Sequence, residues 1–323
     1  MKKNLLMTLM LLIYGAVNAQ IPKRTYYDRA KTQVMENYNV NSQGLKNGAY
    51  IKYDERGIKA VEATFVNGTL EGPGKDYYLP FVGTSNDGRL KTVGKYKSGE
   101  KDGVFILYDY VNNGKPFNSD QELKTGKQVK KMEEYFKLGE KFRETTYYPN
   151  GTIKKDYYLK DGFFKSYHEN GTPYIIANVK GGRFDGDYIS FNSKGLTVFK
   201  GKYIEGLMVG EWILPRDSRG YYPEANKEDE TQYTRKLYFM TDGKVDATKL
   251  TTSYYVTGIL RDSCHLESIG YYGEDRLGAG PYFSYYPDGK LKEKGELNTS
   301  GKKIGSWEFY NEDGSLKEII KME

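Results

Sequence analysis

The chain has one cysteine, two histidines and two tryptophans in 323 residues. Cys264 alone permits no internal disulfide, which excludes the disulfide-stapled class of small domains. With only His168 and His265 present, a histidine-based metal cluster is excluded too, and no cofactor is expected. Leu, Ile, Val and Phe together make up about a fifth of the residues, near the level at which chains become disordered, so a thick conventional core is not expected. No run of five basic residues occurs, and Lys alternates with Glu as in Lys292-Glu293-Lys294. A nucleic-acid interface needs a clustered basic face, so no nucleic-acid partner is expected. The longest apolar run, Leu5 to Ile13, is broken by Thr8. It is far shorter than the roughly 20 residues needed to span a bilayer, and the chain is not expected to be transmembrane.

That run has a different reading. Lys2 and Lys3 precede it, and Val17-Asn18-Ala19 follows with small residues at the positions a signal peptidase reads. Residues 1–19 are therefore expected to be a secretory signal peptide, cut after Ala19, with the mature chain periplasmic or extracellular. The alternative is an uncleaved anchor helix. Loss of Lys2 and Lys3 would lower the net charge from +6 to +4, a mild bias over a mixed-charge surface.

What the chain has in quantity is 32 Tyr and 37 Gly. Disordered chains are poor in aromatics, and Tyr buries its ring while its hydroxyl stays wet, so this composition suits thin β-structure. The aromatics recur in order: Gly, any residue, aromatic, two residues, aromatic, three residues, Gly. The pattern reads Gly48, Tyr50, Tyr53, Gly57, then Gly162, Phe164, Tyr167, Gly171, then Gly186, Tyr188, Phe191, Gly195. It returns as Gly280, Tyr282, Tyr285, Gly289 and as Gly305, Trp307, Tyr310, Gly314. Imperfect copies surround Phe105, Tyr147 and Trp212, and closing glycines at 171 and 195 or 289 and 314 set a period of 24 or 25 residues.

Each copy predicts a β-hairpin. Aromatic-rich strands such as Ser306 to Tyr310 lead into Pro287-Asp288-Gly289, Glu312-Asp313-Gly314 or Glu169-Asn170-Gly171, which are hairpin-turn sequences. The Gly-x-x-x-Gly connectors at Gly99 to Gly103, Gly182 to Gly186, Gly206 to Gly210 and Gly301 to Gly305 predict the second turn. The expected fold is all-β, an elongated antiparallel sheet of repeated hairpins. Tyr26 to Tyr38 alone reads as a short N-terminal helix. By segments, 20–43 is a lead-in, 44–214 the repeat array, 215–268 divergent repeats or an insertion carrying the charged Asn226 to Glu230 stretch, and 269–323 the last repeats.

The stretches GKYIEGLMVGEW (Gly201 to Trp212) and GAGPYFSYYPDGKLKEKGELNTSGKKIGSWEFYNEDGSLK (Gly278 to Lys317) resemble MORN-type repeats in the variant form common in bacterial proteins. The resemblance implies an elongated, twisted sheet of stacked hairpins and a role in protein or membrane association, some bacterial relatives being antitoxin-like. It implies no chemistry.

Nothing else assembles a catalytic set. His168 lies beside a turn where other repeats place Tyr286, Asn192 or Asn311. Cys264 and His265 are neighbours, which a strand points to opposite faces, so a thiolate-imidazole pair there is awkward. Gly278-Ala279-Gly280 and Gly72-Pro73-Gly74 lack the strand, turn and helix of a phosphate loop. An enzyme is not expected; a hydrolase within 215–268 is the remaining alternative.

The aromatics are then the candidate site. The two aromatics of each repeat are three residues apart, so they point to opposite faces unless a bulge intervenes. The candidate binding surface is Tyr50, Tyr53, Tyr167, Tyr188, Trp212, Tyr282, Tyr285, Trp307 and Tyr310. Its expected ligand is an unidentified protein partner or envelope component, or a glycan stacked on exposed Tyr and Trp rows with Trp212 and Trp307 as anchors. The other reading is that the rings merely pack one repeat onto the next.

Overall fold

The computed structural model describes residues 20–79, 88–112, 115–116, 126–216, 233–255, 257–269 and 276–323. Residues 1–19, which hold the expected signal peptide, lie outside them, as does Asn226 to Glu230. All regular structure among the described residues is β-strand, as the repeat predicts. The chain falls into two compact units, up to Asp156 and from Tyr157 onward.

In the first unit the strands Ile21–Tyr26, Val34–Val40, Lys46–Tyr53 and Lys59–Val66 pair in sequence order, each antiparallel to the one before. Gly72–Tyr77, Leu90–Lys97, Glu100–Asn112, Lys127–Lys137 and Glu140–Tyr147 continue the meander. The second unit repeats the plan from Gly162–Tyr167 to Leu316–Met322. Residues 233–268 belong to it as three further antiparallel strands, Tyr233–Phe239, Leu250–Tyr255 and Leu260–Ser268.

The expected helix over Tyr26 to Tyr38 does not form. Its residues end one strand and begin another, joined by a loop at 27–33. The Asp28 carboxylate accepts hydrogen bonds from the Thr32 hydroxyl at 2.7 Å and from the Thr32 and Gln33 amides, which closes a turn where a helix would have to run on. These bonds hold the Asp28 carboxyl down to about 2. Val34 to Val40 instead pairs as a strand with Ile21–Tyr26 on one side and Lys46–Tyr53 on the other.

Two turn types close the hairpins. After the second aromatic comes a four-residue turn ending in a left-handed glycine, as in Asp54 to Gly57 and Asn192 to Gly195, where the glycine amide donates back to the first residue. The register shifts beside each such turn, with two residues opposing one across the ladder. The extra residue sits in the returning strand, so the aromatic strand keeps its alternation and its two rings do face opposite sides. At the other end, two-residue turns carry positive φ at both positions in Asn67-Gly68, Ser98-Gly99, Leu138-Gly139, Gly181-Gly182 and Glu205-Gly206, whereas Asn41 to Gly44 and Asn298 to Gly301 close that end with the four-residue turn. The two-residue form is the mirror-image turn whose twist matches a hairpin's. In the Gly-x-x-x-Gly connectors at 99–103, 182–186 and 206–210 only the first glycine belongs to the turn.

The deepest packing lies in the second unit, where Trp212, Leu214, Leu237, Phe239, Val245, Cys264 and Leu266 form one buried cluster.

Candidate functional site

Within each unit the first aromatics of the repeats lie on one face of its strands, and the rings there touch in series. Tyr50 packs edge-on to Phe65 at 5.3 Å, and Phe105 meets Tyr96 at 5.3 Å and Phe136 at 5.4 Å. In the second unit Phe184 meets Tyr188 at 5.5 Å, Tyr188 meets Tyr203 at 5.3 Å and Tyr203 meets Trp212 at 5.0 Å. Lysine ammonium groups also lie over rings of the row: Lys46 over Tyr50 at 4.1 Å, Lys101 over Phe105 at 4.7 Å and Lys303 over Trp307 at 4.0 Å.

The expectation that Trp212 and Trp307 are exposed anchors is corrected by their burial. They are 1% and 0% exposed. Each indole lies flat on the backbone of a glycine in the preceding strand. A Cβ added to Gly201 would stand 2.2 Å from the Trp212 ring, and one added to Gly295 would stand 2.3 Å from that of Trp307. Each indole N–H is used as well, donating to the Lys202 carbonyl at 3.1 Å and to the Glu296 carbonyl at 3.2 Å. Neither side chain has a surface left to offer. Gly94 serves Phe105 in the same way. Sequence reasoning missed these platforms, although a small residue stands eleven positions before the ring in Gly94 and Phe105, Ala177 and Tyr188, and Gly201 and Trp212.

Tyr50, Tyr188 and Tyr282 share this packed face and are half-buried. Burial pushes all three phenols up, with the Glu36 carboxylate adding to the effect at Tyr50, whose hydroxyl donates to it at 2.7 Å.

Tyr53, Tyr167, Tyr285 and Tyr310 lie on the opposite face, also half-buried. That face carries a recurring group in which one carboxylate accepts from a tyrosine and a lysine. Glu133 takes Lys130 at 2.7 Å and Tyr135 at 2.9 Å; Glu211 takes Lys236 at 2.9 Å and Tyr238 at 3.1 Å. Glu308 takes Tyr310 and Lys294, and Glu62 takes Lys59, Lys75 and Tyr77. At Glu308 and Glu211 the tyrosine and lysine bonds hold the carboxyl low, and at Glu133 they do so against a burial that alone would raise it.

A second tyrosine row ties each turn to the next repeat. The hydroxyls of Tyr27, Tyr78, Tyr255 and Tyr286 donate to the carbonyls of Tyr53, Tyr108, Tyr285 and Tyr310 at 2.7–2.8 Å. His168 takes the same place, its Nε2 standing 3.0 Å from the Phe191 carbonyl. Cys264 is 5% exposed in the apolar cluster, while His265 points away from it against Gly280. The structure does not bring the two together as a pair. Among the described residues no group of three or more His, Cys, Asp or Glu could hold a metal ion, and no helix is long and apolar enough to cross a membrane.

Among the described residues, a cavity opens on the surface of each unit. One of about 650 Å³ in the second unit is lined by Tyr157, Tyr158, Phe164, Val179, Arg183 and Phe184. The other, about 560 Å³, is in the first unit, with Arg24, Asn37 and Tyr53 among its lining residues.

Residues 280–298, which include the copy Gly280, Tyr282, Tyr285, Gly289, match the MORN repeat variant. No curated protein matches the chain. Among solved structures it is similar to a chain in the crystal structure of TcdB2-TccC3-Cdc42, at 11% identity, TM-score 0.13, and 94% of this chain against 17% of that one. A chain in the structure of TcdB2-TccC3 gives 12% identity, TM-score 0.14, and 94% against 18%. The chain thus spans under a fifth of either in length, and at these TM-scores neither likeness bears on function.

Proposed function

We propose that the protein is an exported, non-enzymatic repeat protein whose hairpins form a scaffold for another protein or an envelope component. A MORN repeat suggests a binding protein of repeat type. The observation that carries the reading further is the division of labour between faces. Apart from Tyr50, which with Lys46 meets Glu36, the first aromatics are spent on packing repeat against repeat, while the other face presents the tyrosine, carboxylate and lysine group at Glu62, Glu133, Glu211 and Glu308. A chemical group repeated at intervals is how repeat proteins engage extended partners. The perturbed carboxyls of these groups are accounted for by their tyrosine and lysine neighbours, so they serve as fixed hydrogen-bonding posts.

Affinity capture from envelope extract tests this. The wild type should retain a specific protein that Glu62→Gln, Glu211→Gln and Glu308→Gln together release, with the β-sheet circular dichroism unchanged. Equal capture by the folded triple variant would remove these groups from the interface. Export is tested separately by the N-terminus of the secreted chain, which should begin at Gln20.

A further inference from the structure

The cavity of about 560 Å³ in the first unit is built from both ends of the chemistry that recognises an acidic sugar. Its floor comes from neighbouring strands. Arg24 pairs across the ladder with Asn37, Asn37 pairs with Ile51, and Tyr53 follows two residues on, so Arg24, Asn37 and Tyr53 share the face opposite the ring row. The rims are two turns. One is the 27–33 loop, held shut by the Asp28 carboxylate and by Tyr27, whose hydroxyl donates to the Tyr53 carbonyl at 2.8 Å. The other is the Asp54 to Gly57 turn, which places Glu55 and Arg56 at the cavity. Both rims are tied by their own hydrogen bonds before any ligand arrives.

Among the described residues the Arg24 guanidinium has no ion pair or hydrogen bond, and the Asn37 amide has no hydrogen-bond partner. A guanidinium presents a planar fork of donors that matches a carboxylate. Asn37 and Gln33 can give and accept hydrogen bonds with hydroxyls, and the Tyr53 ring supplies an apolar surface for a C–H face. Glu55 decides between anions. A carboxylate in the cavity opposes a multiply charged phosphate ester, yet it accepts readily from hydroxyl groups. The volume lies within the range of small-molecule sites.

We propose that this cavity binds a sugar acid, a pyranose whose single carboxylate is held by Arg24 while its hydroxyls meet Asn37, Gln33 and Glu55. The site is separate from the partner-binding groups above, and its test does not depend on them.

The test is saturation-transfer NMR on the full chain with sodium glucuronate, glucose and inorganic phosphate as probes. Glucuronate should bind saturably, with transfer from the protein to its ring C–H protons, and glucose should bind about tenfold more weakly or worse. Arg24→Gln should weaken glucuronate by a similar factor, whereas Lys23→Gln, whose side chain leaves the other face, should not. Arg24 has no described partner to lose, so its variant keeps the fold. Glucose binding as well as glucuronate would overturn the proposal. So would absence of saturation, unchanged binding by Arg24→Gln, equal loss in Lys23→Gln, or full displacement of glucuronate by equimolar phosphate.

Discussion

Gly201 is expected to tolerate no side chain, and only because Trp212 lies on it. An alanine Cβ there would stand 2.2 Å from Cδ2 and 2.3 Å from Cε2 of the indole, against the roughly 3.5–4.0 Å of an ordinary carbon contact. The ring must therefore move by more than 1 Å, on the order of a covalent bond length. It has little room, being 1% exposed and wedged against Tyr203 at 5.0 Å. Overpacking of this kind costs about 1–3 kcal/mol, and weakening the bond from Nε1 to the Lys202 carbonyl adds about 1 kcal/mol. Replacing glycine gives back about 0.5–1 kcal/mol through the unfolded chain. Gly201→Ala should thus destabilise the second unit by about 2 kcal/mol. In a Trp212→Leu background the new methyl enters vacated space, and the same change should be neutral or mildly stabilising. The coupling of about 2–3 kcal/mol is readable by urea unfolding, where about 2 kcal/mol moves the midpoint by roughly 1 M. Both tryptophans lie in the second unit, so emission from Trp307 reports on that unit in either background. An equal cost with and without the indole would refute the platform argument, and so would no cost at all.

Other outcomes follow from single contacts. Leu138 holds φ 47° at the first position of a two-residue turn, so Leu138→Asn should stabilise by about 0.5–1 kcal/mol, a rise of about 2–4 °C in Tm. His168 occupies a tyrosine's place in the turn-tying row; His168→Tyr should keep stability within about 0.5 kcal/mol, and His168→Ala should lose about 1 kcal/mol by thermal unfolding. Burial raises the Asp76 carboxyl above its usual range despite Lys91 and Lys101. Its folded state therefore favours the proton, so stability present below the ordinary carboxylate pKa is lost as pH rises through the raised value. Asp76→Asn should stabilise at neutral pH and lose that advantage in acid, as read from unfolding midpoints across pH.

Much of the fold could be read along the chain, because a hairpin's turn residues and aromatics are local. The glycine after Asp or Asn, the ring two residues after a glycine and the opposite facing of the two rings all follow from short spacings. What misled was also local. Tyr26 to Tyr38 looked helical because the turn made by Asp28 depends on two amides whose bonding no composition reveals. Trp212 and Trp307 looked like anchors because their burial depends on a glycine one strand back, which becomes visible only once register is known. The cavity is harder still. Arg24, Asn37, Tyr53 and Arg56 come from three strands and a turn, and only Tyr53, as a repeat aromatic, stands out in its own stretch of sequence.

The two turn types give the fold unequal rims for evolution to work on. Asn67-Gly68, Ser98-Gly99 and Leu138-Gly139 need a left-handed backbone at both positions, so one inserted residue there would slip the register and turn every ring to the wrong face. The connections after the aromatic strands obey no such limit: the antiparallel neighbours Gly72–Tyr77 and Leu90–Lys97 are separated by twelve residues in sequence, where Lys46–Tyr53 and Lys59–Val66 are separated by five. New recognition loops can therefore be grafted or acquired on that rim while the ring row beneath keeps its alignment. The same rim holds the 27–33 loop and the turn that carries Arg56.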